Sequence, residues 1–564
     1  MEYSFLREDA KVKNKVNLLF SGVKLEGGRL AEVFENNVNF LKRFDFDRMM
    51  YWFRVKNNKY APKAPYGFDG GHFENNLHGQ TAAQYLMSAG TLLLWHEDKE
   101  IRATMNKIVD EIEESRESDG YLIPLKKEDF PTKEYPNYVR AWFTFGLLAA
   151  GYAGNEKAFK LVRDMGDWFN KQECLPIVKD LNLGFQGILA NTALYLSKVG
   201  VEKDLEVAQK YYREDFWLRW LYEKDHTAIY NKPGNHPHGT LITTLEGYMD
   251  VYRVTGEEYL LECIKNALSM YEDKWQHVGG GIVMCEGEPF YPGCNFLSPP
   301  YQYNELCCST FWAFLNQRMM LIEPDNEHYA SEIEKTIYNM LAASQVEDRG
   351  IHYIAYLEGC KDKRYTDIAT CCAATGSRMM SMLPQFIFTY NENDVYINLY
   401  ENCEAIVSGA KIKIETNMPY FGKVKIKVLE SQKPINLHLR IPSWCKENLI
   451  IKGKEGKIGS FLLLENIVGG EEIEFELKFT YRATLYTGEE VIENKDRYAV
   501  EYGPLLLAAM GRGNVSLKLD LDNLEESFER IDNSRFKLKN DNIHEYMTYM
   551  DITDEPLTVY PIVE

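Results

Sequence analysis

Two short stretches of the 564-residue chain concentrate the residue types that ligate metals and attack carbon. Asn304-Glu-Leu-Cys-Cys308 and Thr370-Cys-Cys-Ala-Ala-Thr-Gly376 each stand immediately before a helix-like segment. Two soft thiolates, a third and a nearby carboxylate make a tetrahedral zinc set. A cysteine at a helix N-terminus also feels the helix dipole, which favours the thiolate. That form serves both metal ligation and nucleophilic attack. Spacing alone leaves a second reading open. The two CxxC knuckles of a structural zinc finger are missing, and the side chains of adjacent cysteines diverge. Four core cysteines that never meet would give the same pattern.

Two further features lie upstream. Cys285-Glu-Gly-Glu-Pro-Phe290 sets two carboxylates, Glu286 and Glu288, in a Gly/Pro loop. A glycosidase needs a carboxyl of raised pKa to protonate the leaving oxygen, although a solvated acidic turn has the same composition. Gly234-Asn-His-Pro-His-Gly239 places His236 and His238 before a helix expected over 241–253. Either histidine serves equally well as a helix cap.

These residues need elements to hold them. From about 78 to 390 the hydrophobic pattern is helical. Ile101, Met105, Ile108 and Ile112 recur at helical spacing, as do Phe311, Leu315, Met319 and Ile322, and Ile333, Ile337 and Leu341. Between them lie more uniformly apolar segments, such as 138–148, which read as helices buried on most sides. Alternating inner and outer helices suit an α/α toroid of six hairpins, though a stack of helical hairpins would read much the same. Near residue 394 the period falls from 3.6 to 2. Lys411-Ile-Lys-Ile-Glu415, Lys423-Val-Lys-Ile-Lys-Val428 and Glu472-Ile-Glu-Phe-Glu-Leu-Lys-Phe479 alternate strictly, as strands of an antiparallel β-sandwich do. The expected organisation of this α + β chain is a lead-in segment at 1–60 packing on the barrel, a catalytic α/α barrel at 61–393, a β-sandwich at 394–510 and a β-rich or irregular tail at 511–564.

Composition narrows the partners. The chain carries 64 Lys and Arg against 84 Asp and Glu, a formal charge of −20. Such a surface repels nucleic acid and anionic lipid, while a neutral small molecule is indifferent to it. No apolar run approaches the ~18 residues of a membrane span. The first twenty residues lack an apolar h-region and a small-residue cleavage site, so a cytoplasmic location with reduced thiols is expected.

Taken together, these stretches resemble glycoside hydrolase family 127, the β-L-arabinofuranosidase family, over nearly the whole chain. Asp45-Phe-Asp-Arg-Met-Met-Tyr-Trp-Phe-Arg-Val55 resembles the family's opening segment, and Asp119-Gly-Tyr-Leu122 its DGYL turn. Gly287-Glu-Pro-Phe290 matches a GE-x-F stretch, Glu305-Leu-Cys307 the E-x-C, and Cys371-Cys372 the paired cysteines before a helix. Leu437-His-Leu-Arg-Ile-Pro-Ser-Trp-Cys445 and Tyr502-Gly-Pro-Leu505 are similar to its sandwich strands. The collinear order makes the match specific.

The resemblance implies a retaining exo-glycosidase with a thiol nucleophile, releasing a terminal L-arabinofuranose or similar sugar. It implies that Glu305, Cys307, Cys371 and Cys372 hold Zn²⁺. Cys371 would attack the anomeric carbon, and Glu288 would act as general acid and then base. His238 and Tyr353 fall where the family binds substrate. Its Gly-His-x-x-Gly-His-Tyr-Leu is Gly79-Gln-Thr-Ala-Ala-Gln-Tyr-Leu86 here, with Gln80 and Gln84 in place of histidines. Its His-Glu-Leu-Tyr is Tyr138-Val-Arg-Ala141, Ala373-Ala374 replace prolines after the cysteine pair, and Cys308 is an additional thiol. These departures fall on the expected sugar-binding wall more than at the metal. The expected partner is a small-molecule or oligosaccharide substrate, with a homodimer left open. Two other classes compete: a carboxylate-only α/α-barrel hydrolase, lyase or epimerase with structural cysteines, and a non-catalytic carbohydrate-binding protein.

Overall fold

The computed structural model describes residues 10–67, 69, 77–129, 134–172, 184–212, 217–230, 238–282, 303–361, 370–488, 494–511 and 515–564; at 134–136, 184–186, 227, 230, 238, 303 and 542 it describes the backbone alone. Twelve helices of the N-terminal two-thirds form two concentric layers. The inner ones are α2 (Gln80–Leu92), α4 (Glu134–Tyr152), α6 (Ala190–Leu196, entered through a wider turn at Gly184–Leu189), α8 (His238–Thr255), α10 (Leu306–Ile322) and α12 (Cys371–Ser381). They pack in that order, and α12 closes the ring against α2. The outer ones are α1 (Arg29–Lys42), α3 (Lys99–Ser115), α5 (Glu156–Asn170), α7 (Glu202–Gln209), α9 (Glu258–Lys274) and α11 (Glu327–Lys335).

Burial sorts the two layers as the hydrophobic periods predict. Every residue of α2 and of α10 is buried, so neither has a polar face. In α3 only a stripe is buried, Ile101, Met105, Ile108, Val109 and Ile112, together with Ser115. Asp98 starts α3 by accepting from the Glu100 and Ile101 N–H groups, satisfying donors that the helix itself cannot pair.

Inner neighbours run parallel. The Gly239 N–H at the start of α8 reaches the Cys308 Sγ of α10 at 3.1 Å. Further along, the buried Arg318 of α10 bonds Glu246 at 2.6 Å and Asp250 at 2.9 Å on α8. The same end of every inner helix therefore points to one rim of the barrel. Close approach there depends on glycine. A Cβ on Gly146 of α4 would stand 2.3 Å from the Ala83 carbonyl oxygen of α2, inside van der Waals contact.

Two five-stranded sheets follow, in the orders β1-β5-β6-β10-β11 and β12-β9-β8-β7-β2. Their strands are β1 (Asn17–Leu18), β2 (Val23–Leu25), β5 (Phe388–Tyr390), β6 (Asp394–Ile397), β7 (Cys403–Val407), β8 (Ala410–Thr416), β9 (Lys423–Ser431), β10 (Ile435–Ile441), β11 (Ser460–Ile467) and β12 (Glu472–Glu476). Strands β3 and β4 belong to the barrel rim and are described with the site. The alternating runs pair antiparallel, Lys425 opposite Glu474 and Lys413 opposite Lys427. One contact is parallel, β6 with β10, because the chain crosses to the other sheet between them.

The lead-in segment, expected to pack on the barrel, also reaches the sandwich. Its strands β1 and β2 each complete an edge of the sandwich, while ahead of them the Lys13 and Lys15 N–H groups donate to the Arg253 and Leu321 carbonyls near the ends of α8 and α10, and α1 then joins the helical layers. Strands of two and three residues are too short to show an alternation. Nor does the sandwich run to residue 510. Asp496–Tyr502 and Leu505–Met510 hydrogen-bond to a third sheet, shared with Phe528–Arg530, Arg535–Leu538 and Asp541–Thr548. Residues 505–509 are buried throughout, so they carry no period-2 signature to assign them. Among the described residues no helix is long and apolar enough to cross a membrane.

A buried ion cluster joins barrel and sandwich. Arg440 of β10, fully buried, donates to Glu327 at 2.7 Å and Glu334 at 2.8 Å on α11, and to the Asn398 carbonyl. Trp444 adds an N–H bond to Glu334 at 2.7 Å. Burial opposes the guanidinium charge, and the two carboxylates more than offset it. Arg440→Met therefore strands two carboxylates without their cation. We predict a loss of about 3–5 kcal/mol in chemical denaturation. The triple variant with Glu327→Gln and Glu334→Gln is expected to recover most of it.

Candidate metal centre and active site

The site forms where two inner helices begin. Thr370 caps α12 by accepting from the Ala373 N–H at 3.0 Å, so Cys371 and Cys372 become its first two residues. Strand β3 (Tyr303–Glu305) runs directly into α10 and pairs antiparallel with β4 (Ile354–Tyr356), Glu305 opposite Ile354. The Leu306 N–H donates to the Tyr353 carbonyl at 3.2 Å. This short ladder delivers Glu305, Cys307 and Tyr353 to one spot, and the parallel packing of α10 with α12 sets the cysteine pair beside them.

Glu305, Cys307, Cys371 and Cys372 converge, with one donor atom from each lying within 4.8 Å of every other. The Cys307 and Cys372 sulfurs are 3.0 Å apart. The Cys372 thiol lies 3.7 Å from Glu305 Oε1. A tetrahedral ion with metal–sulfur bonds of ~2.3 Å sets its sulfurs about 3.8 Å from one another. The donor set fits such an ion once the Cys307 and Cys372 sulfurs, 3.0 Å apart, separate by about 0.8 Å. Three thiols and a carboxylate are also the right donors for a borderline-soft divalent cation. This cluster could hold a metal ion. The divergence of adjacent cysteine side chains is no obstacle at a helix start, where one sulfur stays at the surface and its neighbour turns inward.

The four groups are not equivalent. Glu305, Cys307 and Cys372 are buried, while Cys371 is partly exposed. Its thiolate is also the favoured one. The Cys307 and Cys372 thiols bond to it, and the Tyr353 hydroxyl, 3.5 Å from its sulfur, adds a further partner, so its pKa falls well below the ordinary thiol range. Burial pushes the Cys307 and Cys372 thiols up. Across the ring, Tyr138 on α4 is held protonated, first by burial and then by the negative charge of the Cys371 thiolate. Its phenol therefore belongs to the surroundings of the thiols. The sequence flagged this position only as a departure from a family pattern.

Other polar groups gather at the same rim. Gln80 and Gln84 of α2 are buried, and among the described residues both amide atoms of Gln80 and the amide nitrogen of Gln84 find no hydrogen-bond partner. Ser88, one turn beyond Gln84, donates to the Ala374 carbonyl of α12 at 3.3 Å, which brings Gln84 level with Cys371. Asp69 caps Thr81, and burial raises its carboxyl to about 7. The His78 ring stacks on Trp52 at 3.5 Å, and burial holds it neutral, with a pKa of about 4. Asp69, His78 and Trp52 carry no local motif that would mark them in the sequence. His238 opens α8, and its side chain lies outside the described residues. Glu286, Glu288 and His236 also lie outside them.

Comparison with known proteins agrees with this geometry. The sequence profile of the β-L-arabinofuranosidase GH127 catalytic domain matches residues 22–385, and that of the GH127 middle domain matches residues 394–479. A non-reducing end β-L-arabinofuranosidase from Bifidobacterium longum subsp. longum is 22% identical over 520 residues, covering 78% of this chain and 77% of its own. Among solved structures, a GH127 β-arabinofuranosidase superposes with a TM-score of 0.75 at 16% identity, covering 98% of each chain. A GH127 β-L-arabinofuranosidase from Geobacillus stearothermophilus T6 also gives 0.75 at 16% identity, over 96% of this chain and all of its own. The matched profiles cover most of the chain and end where barrel and sandwich end. The chain belongs to the GH127 β-L-arabinofuranosidase family and is a glycoside hydrolase.

Proposed function

We propose that this hydrolase is a retaining exo-β-L-arabinofuranosidase acting on a terminal L-arabinofuranose or a closely similar sugar. Cys371 is the nucleophile, Glu288 the acid and base, and Glu305, Cys307, Cys371 and Cys372 a zinc site. The carrying observation is the exposure pattern of the cluster: of four converging donors, Cys371 alone reaches the surface, with the Tyr353 hydroxyl beside its sulfur. The curated Bifidobacterium relative is a non-reducing end β-L-arabinofuranosidase, which supports the substrate class and the exo action.

A free thiol with a pKa of ~8.5 is mostly protonated at neutral pH. Bound zinc supplies the positive charge that keeps the coordinating thiols deprotonated. The remaining work belongs to the chain. The Cys371 thiolate attacks the anomeric carbon as the glycosidic bond breaks, and the departing oxygen takes the Glu288 proton. Water then attacks the thioglycosyl carbon, gives its proton to Glu288 and releases the Cys371 thiolate. Two displacements at one carbon leave its configuration unchanged. Tyr353 can donate its O–H to the thiolate, and His238, at the start of α8, would bind sugar hydroxyls. A cytoplasmic setting belongs to the same proposal, since a thiol nucleophile must stay reduced. Among the described residues no disulfide engages Cys307, Cys371 or Cys372.

Glu288→Gln tests the acid. Aryl arabinofuranosides with poor leaving groups are expected to lose about 10²–10⁴-fold in kcat/KM, and those with acidic phenols far less. Equal losses across the series would remove Glu288 from that role.

A further inference from the structure

We infer that Cys308 is a positioning residue for the metal centre. It fixes the Glu305 carboxylate so that a single oxygen faces the three thiols. The inference rests on the zinc reading above. Cys308 is fully buried one helical turn after Glu305, and its thiol donates to Glu305 Oε2 at 3.2 Å. The other carboxylate oxygen, Oε1, is the one directed at Cys372. The two oxygens are thus divided: one bonded to Cys308, the other presented to the cluster. Cys308 itself does not belong to the set of donors that converge within 4.8 Å. A buried thiol beside a four-donor cluster, yet not part of it, acts on the carboxylate.

The thiol is itself held in place. The Gly239 N–H, in the first turn of α8, donates to Cys308 Sγ at 3.1 Å. A Cβ at Gly239 would meet that sulfur at 3.6 Å, so helix and thiol are in contact as well as bonded. The relay runs from the α8 backbone through Cys308 to Glu305. A carboxylate with both oxygens free can swing toward bidentate ligation or away from the ion. A hydrogen bond to its second oxygen removes that freedom and favours one tetrahedral vertex. The α8 contact also ties the carboxylate to the helix that His238 opens.

The test measures zinc affinity, by competition with a chromophoric chelator, on the full chain carrying Cys308→Ser, Cys308→Ala or Cys308→Val. Serine keeps a donor, alanine removes it and leaves a hole, and valine removes it and fills the space. Alanine and valine are each expected to weaken zinc by about 10–100-fold, with serine within about threefold of the parent. If either apolar variant fails to fold, the other decides. Wild-type affinity in the valine variant, or equal weakening in serine and valine, would overturn the role. A parent chain that binds no zinc would instead overturn the zinc reading, and the two failures are distinguished by that control.

Discussion

Cys371→Ser is expected to lower kcat by about 10³-fold or more while the protein stays folded and still takes up zinc. The change is nearly isosteric at a partly exposed position, so the thermal midpoint should move by no more than about 2 °C. What fails is the chemistry. The environment of Cys371 is arranged to hold a thiolate: it begins a helix, neighbouring thiols bond to its sulfur, and the Tyr353 hydroxyl lies beside it. None of these makes an alkoxide from serine at neutral pH, because a hydroxyl holds its proton far more tightly than a thiol does. The measurement is turnover of an aryl L-arabinofuranoside with zinc quantified per chain. Full retained turnover at one zinc per chain would remove Cys371 as the nucleophile. Trapping of a thioglycosyl adduct on the Cys371 peptide would place it directly.

Removing the metal should be as damaging by a different route. Dialysis against a strong chelator is expected to reduce turnover to under about 1%, with recovery on one equivalent of zinc. Cys307→Ala should show the same loss without that recovery, since it deletes a buried thiol and, unlike serine at 371, puts no donor atom in its place. The physical reason is the crowding of the cluster. Burial raises the Cys307 and Cys372 thiols, so without a cation they take protons and, of the three thiols, Cys371 is the one that keeps a charge. Metal binding must then release protons, so zinc affinity should fall steadily as pH is lowered anywhere beneath the raised range of those two thiols. The thermal midpoint of the chelated protein should fall too, because a ligand bound only by the native state stabilises it. A metal-free preparation with full activity would refute the zinc reading and favour carboxylate-only chemistry.

The barrel was legible because helices write their burial into local periodicity. Uniformly apolar 138–148 and striped 101–112 read as inner and outer helices, and the structure places them in α4 and α3. The alternation of 411–415 and 423–428 likewise gives β8 and β9. The sandwich edges at Asn17–Leu18 and Val23–Leu25 were not legible, because two or three residues carry no period. The polar rim was not legible either. Nothing in Gln80, Gln84 or Asp69 announces that helix packing will bury them without full hydrogen bonding among the described residues.

The site divides along the same line. By themselves the residues supply the reagents: two cysteine pairs, a carboxylate two positions before one of them, and helix starts that favour thiolate. They also fix the order of elements, since hydrophobic period is a local property of the chain. Whether residues 307 and 372 meet is not local. Only the closing of six parallel helices, with α12 returning against α10, sets those sulfurs 3.0 Å apart. Only that closure leaves Cys371 partly exposed while its three companions are buried, and turns Cys308 toward the second oxygen of Glu305. Reactivity is a property of side-chain type, but which thiol can reach a sugar is a property of enclosure, and enclosure exists only in the folded chain.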